Sequence, residues 1–155
     1  MKTILAALVT ALVATTAAVA APAVGDQATF QGVWDGQAVY QHMAYTEFNG
    51  AMNQFKKITT TQIGSGAPAT SEEWVNFNDA ASDEAIQYIL NNCGSYNGIN
   101  EYVNLPSGQY FTCRMPLDQG GYVWVGQVPF AVVRIYSPVQ GKMLDAWITG
   151  FRRGI

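Results

Sequence analysis

Apolar and polar positions alternate in short runs along most of this chain, and turn-forming pairs interrupt the runs at near-regular intervals. The pairs are Asp35-Gly36, Asn49-Gly50, Gly64-Ser65-Gly66, Ser107-Gly108, Gly120-Gly121 and Gln140-Gly141. Turn signals at this spacing predict antiparallel strands joined as a meander. Strands are expected over 28–34, 37–48, 54–63 and 70–77, followed by a hairpin over 101–115. Further strands are expected over 122–125, 130–136 and 143–152, with a bend or edge position at Pro129, which cannot donate to a ladder. Phe48, Met52, Phe55 and Ile58 also fit helical spacing, but Asn49-Gly50 sits inside that window and weakens a helix there. Strand–turn–strand is therefore the preferred reading. One helix is expected over about 83–92. Ser82 supplies the cap, Asp83 and Glu84 suit the positive end of the dipole, and Gly94 is a natural terminator. The fold class is mainly β: an antiparallel meander forming a curved sheet or half-barrel, with one short helix.

Loop length sets the register of the hairpin, and register decides which side chains share a face. A two-residue Ser107-Gly108 loop sets Leu105 against Tyr110 and Asn104 against Phe111, mixing apolar with polar. A three-residue loop, Pro106-Ser107-Gly108, sets Val103 against Phe111 and keeps Val103, Leu105, Phe111, Cys113 and Met115 on one side. It also puts glycine where a left-handed residue is needed, so the longer loop is preferred.

The N-terminus changes the setting of this fold. Lys2, an uncharged alanine-rich run from Ile4 to Val19, and the small-x-small site Ala18-Val19-Ala20 predict a secretory signal peptide over 1–20. A single β-rich domain is then expected over 21–155, with no transmembrane span and a periplasmic or secreted location. Two cysteines in an exported chain read as one disulfide, Cys93–Cys113. Closing a loop of about twenty residues stabilises by roughly 3 kcal/mol in the chain-entropy account. Without Lys2 the balance is 7 basic against 11 acidic residues, about −4, which disfavours nucleic acid as a partner.

Candidate chemistry is sparse. His42 is the single histidine and lies in an expected strand, where solvent exposure or a local hydrogen bond accounts for it. Asn76, Asn78 and Asp79 offer close-spaced oxygen ligands but lack the glycine and distal glutamate of a calcium loop. Glu72 and Glu73 are strand neighbours and point to opposite faces, so they form no catalytic pair. Asp83 and Glu84 are explained by the helix dipole. No catalytic residue, metal or cofactor is expected, and the chain reads as a non-enzyme. Trp34, Trp74, Trp124 and Trp147 each fall in a separate expected strand. Core packing is the default for each, and lining of an apolar cavity in a curved sheet is the functional alternative.

Several stretches resemble a known group. They run from Val24-Gly25-Asp26 and a short hairpin through Glu73-Trp74-Val75 to a helix ending at Cys93. Then come Val103-Asn-Leu-Pro-Ser-Gly-Gln-Tyr-Phe-Thr-Cys113, Trp124-Val-Gly-Gln-Val-Pro-Phe-Ala-Val-Val-Arg134 and a last strand with Gly150-Phe151. Together they resemble small exported bacterial proteins with LolA/LppX-like half-barrels. The resemblance covers most of the chain after the leader. It implies an incomplete antiparallel barrel around a short helix, with an apolar concavity for acyl chains or lipidated proteins. The resulting expectation is an envelope protein that binds or carries a hydrophobic ligand such as a lipid. The alternative is a protein-binding module, for example a periplasmic inhibitor or immunity protein, marked by a protruding, polar, conformationally fixed loop for which 91–100 is the candidate.

Overall fold

The expected alternation carries through into one continuous sheet. The computed structural model describes residues 21–155, and the expected signal peptide at 1–20 lies outside the described residues. The strands are β1 Gln27–Trp34, β2 Gln37–Asn49, β3 Gln54–Ile63, β4 Ala69–Asn76, β5 Ile99–Leu105, β6 Gly108–Pro116, β7 Tyr122–Gly126, β8 Val132–Val139 and β9 Lys142–Arg152. They form a nine-stranded sheet in the order β4-β3-β2-β1-β9-β8-β7-β6-β5, with every neighbouring pair antiparallel. The helix α1 spans Asp83–Asn91, and Ser82 Oγ accepts from Ala85 N at 3.1 Å as its cap.

Asp35-Gly36 and Gln140-Gly141 make the tight two-residue turns that their composition favours, with φ of 51° and 75° in each pair. Register shifts at Thr29/Phe30, Tyr45/Glu47 and Trp124/Val125 bend the sheet, as bulges do. Curvature brings the β5–β6 hairpin tip back to β9, where Ser107 Oγ donates to Ile148 O at 2.9 Å.

Three local expectations are corrected. The β5–β6 loop is two residues, Pro106-Ser107, so Val103 opposes Tyr110, Tyr102 opposes Phe111 and Gly108 opens β6. Val103, Leu105 and Tyr110 thereby join a core cluster with Phe30, Trp124, Val128, Val133 and Ile148. Phe111 and Tyr102 instead stack together on the surface, ring centres 5.2 Å apart. The deciding contact is with β9, which local turn chemistry does not contain. Secondly, 130–131 is a turn rather than the start of β8. Phe130 and Ala131 both take positive φ, 64° and 63°, and Phe130 packs 4.8 Å from Tyr45. Thirdly, α1 runs into a short 3-10 turn, Cys93–Tyr96, and the left-handed cap is Asn97 rather than Gly94. The stretch 91–100 is held by that turn, by the start of β5 and by the Asn100 Nδ2 bond to Leu90 O (3.1 Å), with Gly94 to Asn97 exposed.

The disulfide joins Cys93 and Cys113 as expected. It ties the end of α1 to β6, and Ile86 and Leu90 of the helix pack with both cysteines, Val125, Met115 and Val123. That packing covers one part of one sheet face. Tyr45, Phe55 and Ala80, with Phe77 and Phe130 against them, form a second covered region toward β3 and β4.

Candidate functional site

Between the part that α1 covers at β6 and β7 and the second covered region around Tyr45 and Phe55, the same face carries an open stretch. By register Ile63, Val39, Gly32, Ala146 and Ile135 form one row across β3, β2, β1, β9 and β8, and Val123 and Met115 extend it under the helix. The middle of that row is shallow because Gly32 has no side chain and Ala146 has one methyl group. A Cβ on Gly32 would run into Asp145 O and lie 2.7 Å from Ala146 Cβ, so the close approach of β1 and β9 requires glycine. Large side chains on either side then leave a trough of about 370 Å³, with Trp34, Val39, Met43, Ile135, Leu144 and Ala146 among its walls. Its size lies at the small end of the range for ligand sites.

The mouth of the trough is braced. Trp34 Nε1 donates to Val139 O at 3.0 Å, and Lys142 pairs with Asp35 at 3.2 Å, linking the β1–β2 and β8–β9 turns. Uncharged polar groups sit among the apolar walls: Gln41, whose Nε2 donates to Thr61 Oγ1 at 3.1 Å, and Gln140. None of the described lining residues carries a charge.

The four tryptophans do not gather around this trough. Trp34 lines it. Trp74 is 46% exposed on the edge strand β4. Trp124 is buried in the core cluster, and both Trp124 and Trp147 lie, by register, on the opposite sheet face in a row with Arg134. There the Arg134 guanidinium sits 5.0 Å above the Trp124 ring and forms a forked pair with Asp145 at 2.9 and 2.8 Å. The bond to Asp145 raises the Arg134 pKa, and partial burial opposes it.

The remaining candidates have local partners. His42 Nε2 lies 3.1 Å from the Gln27 amide, which in turn reaches Arg152. Asn76 Nδ2 donates to Asp79 Oδ2 at 3.1 Å within the turn after β4. Glu72 pairs with Lys56 at 3.0 Å, Glu73 with Lys57, and Asp83 with Arg153. Among the described residues no three histidine, cysteine or acidic side chains cluster as metal ligands, and no helix is long and apolar enough to cross a membrane.

The sequence reading missed Gly32 and Ala146 as the residues that make the trough. The available signal was a glycine inside a strand pattern, which marks a close backbone approach.

No family model matches the chain, and no curated protein matches it. A solved structure that it resembles is the complex of Pseudomonas aeruginosa MucA/MucB, at 10% identity and a TM-score of 0.49 over 84% of this chain. The match spans 52% of that chain, so this protein covers about half its length. The LolA/LppX-like resemblance gains no support from the family comparison. Its architectural part, an open curved antiparallel sheet with a helix, is what the described residues form.

Proposed function

We propose that this is an exported, non-enzymatic binding protein whose trough docks an uncharged, apolar segment of a partner protein. The observation that carries the reading is the chemistry of the walls: aliphatic and aromatic side chains with amide and hydroxyl groups among them and no charge. Apolar side chains of a peptide gain from leaving water there, and its backbone can pair with Gln41, Thr61 and Gln140. A phospholipid or fatty acid would bring a charged headgroup, and the lining offers it no cation. The disulfide Cys93–Cys113 supports an oxidising compartment outside the cytoplasm, in keeping with the expected signal peptide.

An acyl chain is the second reading, favoured by the apolar lining alone. One experiment separates them. A random peptide library is selected on the protein and on Ala146→Leu and Leu144→Asp, which fill and charge the trough, with folding of each variant checked by circular dichroism. Enrichment of uncharged peptides with spaced apolar residues, lost in both variants, supports the proposal. No enrichment, or enrichment that survives both substitutions, overturns it. A lipid-mass adduct released on denaturing mass spectrometry, and absent from both variants, would assign the trough to an acyl chain instead.

A further inference from the structure

The face opposite the trough has its own order. Register places Arg114, Trp124, Arg134 and Trp147 in one row across β6, β7, β8 and β9, and Gln31, which also reaches the trough wall, and Tyr40 continue it across β1 and β2. The row from β6 to β9 crosses three inter-strand gaps, about 14 Å at the usual strand spacing. Its side chains are coupled. Arg134 is forked onto Asp145 and covers Trp124. Trp124 Nε1 donates to Glu101 Oε1 at 2.6 Å. Glu101 also pairs with Arg114 at 3.4 Å, and Arg114 lies 5.0 Å above the Tyr122 ring. Tyr136, opposite Asp145, is 40% exposed beside this network, and Tyr40 is exposed at its far end.

Trp124 belongs to the core, but the two arginines and two acids around it are partly exposed and lie outside the described core clusters. Two guanidiniums and two carboxylates cancel in charge, yet each remains half-exposed and keeps free donor or acceptor positions. The ion pairs and ring contacts hold these groups in place before any ligand arrives, which lowers the entropy lost on binding. A fixed, neutral array of donors and acceptors beside exposed rings matches one chemistry best. Sugar hydroxyls both donate and accept, and the weakly positive C–H faces of a pyranose stack on the negative face of an aromatic ring. An anion would have to share either guanidinium with the carboxylate already paired to it, Asp145 or Glu101, and would meet that like charge.

We propose that this face is a binding platform for a short neutral saccharide, recognised by Arg134–Asp145, Glu101 and the rings of Tyr136 and Trp147. The platform is separate from the trough, so either assignment can fail alone. The test is titration of the disulfide-intact protein with neutral oligosaccharides, including chitotriose, maltotriose and cellotriose, followed by nitrogen–proton NMR. Binding should move the indole signals of Trp124 and Trp147 and the Arg134 Nε signal while leaving Trp34 still. Tyr136→Ala, an exposed position that leaves the core intact, should weaken binding about tenfold or more, as loss of a stacking ring would. Arg134→Lys, which keeps the charge but not the fork, should do the same. Leu144→Asp in the trough should change nothing. The proposal is overturned if no sugar moves these signals at millimolar concentration. It is overturned equally if both platform variants bind as tightly as the parent, or if inorganic phosphate reproduces the shifts.

Discussion

One sheet face of this protein is treated in two ways along its width. Over β6 and β7 it lies under α1, with Ile86 at 1% exposure, and a disulfide locks the end of the helix to the strand beneath. Over β3, β2, β1, β9 and β8 the same face, in register, stays open and apolar around Gly32 and Ala146. The covered part stabilises the fold by burial. The open part leaves Ile63 and Val139 exposed and Leu144, Ile135, Met43 and Trp34 partly so, while Phe30, Val39 and Ala146 at its floor are buried.

The sharpest way to break this comparison is to shorten one aliphatic side chain in each part. Ile86→Ala should lose about 3 kcal/mol of unfolding free energy, from lost transfer plus a cavity. Leu144→Ala in the trough should lose only about 1 kcal/mol or less, because its side chain already meets solvent and no closed cavity forms. Urea denaturation of both variants measures the difference, and equal losses would show that the trough is as well packed as the helix seat.

Tyr45 gives a pH-dependent version from the second covered region. Burial, with help from Asp26 and Glu73, pushes its phenol up from 10.0 to about 12. An acid that is harder to ionise when folded favours the folded state below its unfolded pKa. That contribution declines as pH rises through about 10 and is gone above about 12. Stability measured across this window should therefore fall more steeply in the parent than in Tyr45→Phe. The smallest effect concerns the seating of the cover itself: Ser82→Ala removes the cap of α1 and should cost about 1 kcal/mol by the same denaturation assay.

Much of this architecture could be read from local pattern. Asp35-Gly36 and Asn49-Gly50 announced their turns, Ser82 to Glu84 the start of the helix, and the cysteine pair the staple. The turn and capping signals act within a few residues and owe little to the rest of the chain. The β5–β6 register differs from the expectation because sorting apolar residues onto one face and turn chemistry are both local criteria, whereas Ser107 bonding to β9 and Val103, Leu105 and Tyr110 joining the core decided it. The strand drawn from Phe130 failed for a similar reason. Phe130 is as apolar as a strand residue should be, but its partner, Tyr45, lies far away in the sequence.

The candidate sites were less legible than the fold. Tryptophans drew attention as large apolar residues, yet the trough depends on the small ones, Gly32 and Ala146, whose importance is set by which strands they oppose. The row of Arg114, Trp124, Arg134 and Trp147 likewise has no trace in the linear order, since each member comes from a different strand.

Alternation, turn residues, capping and cysteine count, all properties of neighbours along the chain, were enough to determine a mainly antiparallel β protein with one helix and one disulfide. Tertiary structure alone decided the strand order, with β1 placed beside β9, and hence which residues share a row. It alone decided that the helix covers β6 and β7, that Phe77, Ala80 and Phe130 pack on Tyr45 and Phe55, and that the stretch between stays open. Register is a long-range quantity: it is settled by the sum of contacts across the sheet, and no single stretch of sequence holds that sum.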